Sequence, residues 1–122
     1  MMQGVVSPRR EAILPLVVGS DSGQRDLINA VIDTGFDGFL SLPSEIIVRL
    51  GLPWTISNSA TLGDGSETVF DFYTGTVIWD GQYREIDIAE SETEPLIGMA
   101  MLYGYRFQVD AVEGGIVKIE AL

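Results

Sequence analysis

The chain contains no cysteine and no histidine among its 122 residues. Without cysteine it has no disulfides and no thiolate nucleophile, and without histidine it has no Ser-His-Asp triad. Zinc sites built from cysteine and histidine ligands are excluded as well. Acid–base chemistry near neutral pH must therefore come from carboxylates, from a tyrosine or from Lys118.

Basic residues are also scarce, since 7 Lys and Arg face 18 Asp and Glu and the net charge is -11. Nucleic acid is an unfavourable partner, because binding phosphates needs clustered Lys and Arg. The densest acidic run, residues 90–94, fits a solvated loop better than a cation site, because it holds only three acids and no ligand-loop pattern. We predict no metal and no cofactor.

Long apolar runs are missing too. No stretch approaches the roughly 18 apolar residues of a membrane-spanning helix, so no membrane partner is expected. The charges near the N-terminus follow a very short apolar stretch, which is the wrong order and length for a signal peptide. We therefore expect a cytoplasmic protein.

The 46% apolar content is typical of a folded globule. We expect a flexible N-terminal leader at residues 1–10 and one domain at residues 11–122. Apolar runs and Gly-rich turns predict strands at residues 13–18, 27–32, 55–62, 68–73, 76–79, 83–89, 105–109 and 116–119. Helical spacing predicts a helix over Pro43–Leu50, with Ser41 as its N-cap, and a shorter one at residues 99–103. This pattern indicates a mostly β fold, a closed barrel or sandwich with one or two short helices.

The run Val31-Ile32-Asp33-Thr34-Gly35 carries the most information about function. Its β-branched pair favours a buried strand, and the acid stands where that strand ends. A carboxylate in that position is costly unless it is hydrogen-bonded or takes part in chemistry. Gly35 lets the chain turn sharply beyond it. Asp33 is therefore the candidate catalytic residue.

With three further features in the same order, the chain resembles the retropepsin-like aspartic proteases, most of all small prokaryotic members with an Asp-Thr-Gly-Phe signature. Asp64-Gly65 stands at a predicted hairpin tip, where that family has its flap. Pro95-Leu96-Ile97-Gly98 resembles the family's second apolar-apolar-glycine motif before a short helix. The chain then ends in strands. The resemblance covers residues 11–121 and implies a closed acid-protease-like barrel, a single-lobe protomer of retropepsin type.

The resemblance implies an aspartic endopeptidase that acts on a peptide or protein substrate. Hydrolysis would use two carboxylates that share one proton. One chain has one such motif, so the resemblance implies a homodimer in which Asp33 of each copy meets on a two-fold axis. Thr34 would hydrogen-bond across the interface, and the Gly35 backbone would donate to the carboxylate. Gly63, Asp64 and Gly65 would form the flap that closes over the peptide.

Phe36 departs from the small residue that usually follows the glycine in this family. Its ring would either narrow the pocket beside the carboxylate or pack inward and support the loop. Asp37 is interpreted as a turn or capping acid, with a second catalytic carboxylate as the alternative. Trp54 and Trp79 are expected in core or interface packing.

Two other functions compete with the protease. One is a catalytically inactive member of the fold that acts as a dimerisation or peptide-binding module. The other is a small ligand-binding β-barrel in which Asp-Thr-Gly occurs by chance. Loss of proteolysis in Asp33→Asn would separate the protease from both.

Overall fold

The computed structural model describes residues 1–61 and 64–122, and in these residues the chain forms ten strands and two helices. The strands are β1 (Met2–Val6), β2 (Ala12–Gly19), β3 (Arg25–Ile32), β4 (Leu40–Leu42), β5 (Trp54–Thr61), β6 (Glu67–Trp79), β7 (Gln82–Glu90), β8 (Leu96–Ile97), β9 (Tyr105–Val109) and β10 (Ile116–Ala121). The helices are α1 (Ser44–Leu50) and α2 (Met99–Leu102).

Six strands close into a barrel. They are hydrogen-bonded in the order β6-β7-β4-β8-β3-β2, and β2 returns to β6 through the pairs Val18↔Val77 and Gly19↔Thr76. Strand β5 extends the sheet beyond β6, and β1, β10 and β9 extend it beyond β2. The predicted mostly β, closed-barrel fold with one or two short helices is confirmed.

The short strand β8 lies between β3 and β4. It runs parallel to β3, with Val31 opposite Leu96 and Ile32 opposite Ile97, and antiparallel to β4. Two segments far apart in sequence are thereby joined directly at the end of β3. This arrangement fixes the backbone from which Asp33 emerges.

The barrel is filled by alternate residues of its strands. In β2, Leu14, Leu16 and Val18 are all buried while Pro15 between them is exposed, as the two-residue period of a strand requires. Ile97 and Met101 are fully buried in the same core. Burying each such side chain contributes about 1.5–3 kcal/mol.

The N-terminal residues form a strand, so the predicted flexible leader at residues 1–10 is wrong for Met2–Val6. Strand β1 pairs antiparallel with both β2 and β10, which satisfies its backbone groups on both sides. A Cβ atom on Gly4 would lie 1.8 Å from the carbonyl oxygen of Ile13, so the close approach to β2 requires glycine. Only Val5 and Val6 gave a local strand signal in this segment.

Strand β6 is continuous where the sequence predicted two strands, at residues 68–73 and 76–79. The apparent break, Gly75, pairs with Ile86 of β7 inside the ladder. A Cβ atom on Gly75 would lie 2.5 Å from Cδ1 of Ile88. The glycine makes room for a core side chain and does not mark a turn.

Helix α1 begins one residue later than predicted, with Pro43 at its N-cap position and no side-chain cap from that residue. Ser41, the predicted cap, lies in β4 instead. The backbone N–H of Ser44 donates to Oε1 of Glu92 at 3.0 Å, so a distant carboxylate satisfies the first turn of the helix. Hydrogen bonding to the side chain of Ser44, and secondly to its backbone N–H, lowers the pKa of the Glu92 carboxyl. The helix ends at Gly51, whose φ of 65° is left-handed.

Candidate active site

Asp33 is held at the end of β3 by backbone hydrogen bonds to the segment that carries β8. The N–H of Val31 donates to the carbonyl oxygen of Pro95, and the N–H of Asp33 donates to that of Ile97, both at 2.9 Å. These two bonds continue the parallel ladder to the residue that bears the carboxyl group. The backbone of Asp33 therefore belongs to the sheet, while its side chain lies at the edge of the barrel and is half-buried.

The turn after Asp33 orients its carboxylate. The N–H of Gly35 donates to Oδ1 of Asp33 at 2.9 Å, and the N–H of Phe36 donates to the Asp33 carbonyl oxygen at 3.1 Å. A Cβ atom on residue 35 would stand 3.2 Å from that same Oδ1, which is tight for any side chain. Glycine thus allows the close backbone approach that lets the amide reach the carboxylate. Thr34, between them, is exposed.

The loop that carries Asp33 rests on the glycine that follows β8. A Cβ atom on Gly98 would lie 2.2 Å from the carbonyl oxygen of Gly38 and 2.7 Å from that of Phe36. The N–H of Met99 donates to the Phe36 carbonyl oxygen at 2.8 Å, and that of Ala100 donates to the Gly38 carbonyl oxygen at 3.1 Å. The two motifs singled out in the sequence, around Asp33 and around Gly98, are therefore in direct contact.

The Phe36 ring both packs against the loop and lies beside the carboxylate, which are the two alternatives considered for it. Atoms of its ring would lie within 2.6–2.7 Å of Cβ atoms built on Gly38 and Gly98, so the ring covers both glycines. Phe36 also lines a groove beside Asp33. The ring supports the loop and forms part of the groove wall at the same time.

A groove of about 350 Å³ opens in front of Asp33. Its walls are largely apolar, with Phe70 and Phe72 contributed by β6 and Leu96 by β8. Sequence analysis missed these two phenylalanines as site residues, although their i, i+2 spacing on a strand puts them on one face of the hairpin. The residues that line the groove are Asp33, Gly35, Phe36, Asp37, Ser41, Phe70, Phe72, Ala89, Ser91 and Leu96.

The predicted flap corresponds to the hairpin of β5 and β6. Asp64 and Gly65 lie at its exposed tip, and Gly65 has a left-handed φ of 85°. The hydroxyl and the backbone N–H of Ser66 donate to Oδ1 of Asp64 at 2.6 and 2.9 Å, and both hydrogen bonds lower the pKa of the Asp64 carboxyl. Gly63, the third predicted flap residue, lies outside the described residues. In this single chain the tip residues Asp64 and Gly65 do not line the groove, whereas Phe70 does.

A side-chain cluster holds the base of the same hairpin. Nε1 of Trp54 and Oγ of Ser57 both donate to Oδ1 of Asp71, the former at 3.1 Å. The bond from Ser57, and secondly that from Trp54, lower the pKa of the Asp71 carboxyl. Trp54 is 58% exposed in this single chain, so it does not pack in the core, and its packing at an interface stays a prediction. Trp79 is buried in the core.

Among residues 1–61 and 64–122, no cluster of three or more acidic side chains is arranged to hold a metal ion. Within the same residues, no helix combines the length and the apolar character that crossing a bilayer requires.

The predicted site residues Asp33, Gly35 and Phe36 are brought together at one groove, and Asp37 joins them on its rim. Thr34 is not among the residues that line it.

Comparison of the sequence with protein-family models and with curated proteins gives no match. A solved structure is nevertheless similar over almost the whole chain, namely the crystal structure of a retropepsin-like aspartic protease from Rickettsia conorii. The TM-score is 0.54 at 17% sequence identity, and the match covers 98% of this chain and 92% of that chain. The retropepsin-like fold expected from the sequence is therefore confirmed.

Proposed function

We propose that this chain is one half of an aspartic endopeptidase. The observation that carries the proposal is the position of Asp33. Its carboxylate stands at the mouth of a buried strand, accepts the Gly35 N–H at 2.9 Å and faces an apolar groove. The retropepsin-like fold supports the same function.

The chemistry needs two carboxylates in contact, because two such charges in contact cannot both be ionised and one proton is shared between them. The ionised carboxylate takes a proton from water as the water oxygen attacks the peptide carbonyl carbon. The protonated carboxyl gives its proton to the carbonyl oxygen, which yields a tetrahedral diol. Transfer of a proton to the amide nitrogen then allows the C–N bond to break.

The second carboxylate is proposed to be Asp33 of another copy of the chain. Each chain has one Asp-Thr-Gly motif, so a symmetric pair would supply the dyad at its two-fold axis. Thr34 is exposed beside Asp33 and is free to hydrogen-bond across that axis. The net charge of -11 opposes association at low salt, so we expect dimers to be favoured at moderate ionic strength.

The proposed substrate is an extended peptide in the groove. Phe36, Phe70 and Phe72 offer apolar walls for its side chains. The backbone of the hairpin tip, with Asp64 and Gly65, would close over the peptide and hydrogen-bond to its main chain. Gly63 would belong to the same tip.

The test is the substitution Asp33→Asn, with Asp21→Asn as the matched control. Asp21 is an exposed turn residue, so its variant makes the same charge change away from the groove. Cleavage of an unfolded protein should be measured at mildly acidic pH, together with the association state by sedimentation. We expect Asp33→Asn to lose cleavage by at least about a thousandfold while it stays folded, and the control to keep it.

Equal cleavage by the wild type and Asp33→Asn would refute the protease. A wild type that stays monomeric at micromolar concentration and moderate salt would refute the shared dyad. Binding of peptides without any cleavage would instead identify the inactive peptide-binding module.

A further inference from the structure

A second cavity adjoins the groove at Asp37, which lines both. It has a volume of about 470 Å³ and lies where the Asp33 loop, the start of β7 and α2 meet. Tyr103 is 85% exposed and Met99 46% exposed at its rim. The residues that line it are Asp37, Phe39, Arg84, Met99, Ala100 and Tyr103.

Arg84 is the cation of this cavity. It lies on β7 at the same alternation as Ile86 and Ile88, whose side chains are buried in the barrel core. Near the start of the strand the arginine side chain lines the cavity, and its Cζ stands 5.4 Å from the ring centroid of Phe39. Packing over an aromatic face restricts the guanidinium plane while its N–H groups stay available.

Arg84 forms no ion pair with an acid in the part of the chain that the structure describes. Among residues 1–61 and 64–122, the side-chain ion pairs are Arg49–Asp26 and Arg106–Glu120, and no carboxylate lies within 4.0 Å of Arg84. Five of the seven basic side chains form no ion pair among these residues, so what distinguishes Arg84 is its place over the Phe39 ring in a cavity beside the groove. A half-buried guanidinium with free donors in a cavity is suited to bind a carboxylate through two parallel hydrogen bonds.

We infer that this cavity is an outer subsite for an acidic side chain of the substrate, which rests on the proposed peptidase function. An extended peptide advances about 3.3 Å per residue, so a side chain a few residues from the scissile bond would pass Asp37 and enter the cavity. The methylenes of a glutamate would contact Met99 and Phe39, and its carboxylate would meet Arg84. Asp33 disfavours an acid next to the scissile bond, which confines the preference to one position of the peptide. Asp37 lines the cavity as well as the groove and opposes an acid there too, so the preference requires direct contact between the substrate carboxylate and Arg84.

The test measures binding to Asp33→Asn protein, which is expected not to cleave. Fluorescent peptides of one apolar parent sequence carry Glu or Gln at each position in turn, and their affinities are compared at moderate salt. We expect one position at which Glu binds about tenfold more tightly than Gln, as suits a charge-assisted hydrogen-bonded pair. High salt should reduce the ratio, because the cavity is open and its rim is exposed, so that dissolved ions screen the pair.

Substitution of Arg84 then tests whether the tighter binding of the Glu peptide depends on this residue. In the Asp33→Asn background, Arg84→Gln should bring the Glu peptide down to the level of the Gln peptide, and Arg84→Lys should keep part of the preference. Arg49→Gln is the control, since it removes the same charge from an exposed ion pair on α1 and should keep the full ratio. The unfolding midpoint of each variant establishes that it is folded.

The inference is overturned if no position prefers Glu or if Arg84→Gln retains the preference. It is also overturned if no peptide binds at about 1 mM. A Glu preference that depends on Arg84, in a wild type that cleaves nothing, would keep the subsite and refute the peptidase. Cleavage that depends on Asp33 without any Glu preference would keep the peptidase and refute the subsite.

Discussion

The backbone N–H of Asp33 donates to the carbonyl oxygen of Ile97 at 2.9 Å, so the candidate catalytic residue is tied to the strand inserted between β3 and β4. Ile97 is itself fully buried, and its side chain packs in the barrel core. Ile97 therefore links the two: its backbone holds Asp33, and its side chain is fixed by the core. The position of the Asp33 carboxylate thus depends on how the Ile97 side chain packs. This relationship makes the site sensitive to changes that never touch the groove.

Truncation of Ile97 should show this dependence. We expect Ile97→Ala to lower the free energy of unfolding by about 2–5 kcal/mol, because it leaves a cavity beneath the Asp33 backbone. Ile97→Val, the conservative control, should cost about 0.5–1.5 kcal/mol. Urea unfolding measures both values. A loss below about 0.5 kcal/mol for Ile97→Ala would contradict the packing described here.

Gly98 should not tolerate any side chain. A Cβ atom there would meet the backbone oxygens of Gly38 and Phe36 at 2.2 and 2.7 Å, and backbone atoms cannot rotate away. We expect Gly98→Ala to destabilise the protein by about 1–3 kcal/mol or more and to displace the Asp33 loop. Denaturant unfolding measures the first effect, and amide chemical shifts of residues 33–38 the second.

The control for Gly98 is Gly23→Ala. Gly23 has a left-handed φ of 89°, and a Cβ atom built on it would have open space around it. Alanine there should cost about 1–2 kcal/mol through backbone strain alone. It should leave the shifts of residues 33–38 unchanged, and equal shift changes in the two variants would argue against a local clash at Gly98.

The cluster at Asp71 should make the hairpin base sensitive to acid. Because hydrogen bonds from Ser57 and Trp54 lower the pKa of this carboxyl, their contribution is fully present above its unfolded-state pKa. It is lost as the pH falls through the lowered pKa of the folded state. We expect Trp54 fluorescence to change over that acidic range in the wild type and not in Asp71→Asn. Faster amide exchange in β5 of Asp71→Ala would confirm that the cluster holds the hairpin, and unchanged exchange would refute it.

Glu94 should destabilise the protein at neutral pH. A hydrogen bond with Glu11, together with desolvation and repulsion from Glu11, raises the pKa of its carboxyl, and Arg9 offsets this only in part. The stabilisation from the shared proton is fully present below the unfolded-state pKa and is lost as the pH rises through the raised pKa. We therefore expect Glu94→Gln to raise Tm at pH 7 and to gain little under acidic conditions.

The matched control for Glu94 is Glu85→Gln, which removes one charge from an exposed position of β7. It relieves general repulsion in a chain of net charge -11 but breaks no carboxyl pair. A Tm gain equal to that of Glu94→Gln would assign the effect to net charge and refute the pair.

Local patterns sufficed to predict most strands and the loop at Asp33. Alternating apolar residues mark β2 and β3, and the Asp80-Gly81 turn marks the hairpin of β6 and β7, because these signals lie within a few residues. The signal for the Asp-Thr-Gly turn also lies within a few residues, and Gly35 is explained by the close approach of its backbone N–H to the Asp33 carboxylate. The rest of the fold depends on pairings that no short window contains.

Three features show why sequence reasoning stops there. Strand β1 holds few strand-forming residues and is stabilised by two neighbouring strands, so its sequence alone reads as a loose leader. Glu92 caps α1 from a distant loop, which looked like an ordinary solvated acidic run. Arg84 reaches the cavity near Asp37 because β7, β4, β8 and β3 are neighbours in the sheet, and a single arginine on a strand gives no local sign of that role.

The placement of β1 between β2 and β10 bears on how the proposed enzyme would respond to dilution. Each copy completes its own sheet with its own N-terminal strand, so folding does not wait for a second copy. The unfolding midpoint should then rise with protein concentration only over the range in which the dimer forms, and each chain should stay folded below that range. Hydrolysis, which needs two chains, should fall faster than linearly as the protein is diluted. The local concentration of the protein would in this way determine whether the chain is a folded but inactive monomer or part of an active dimer.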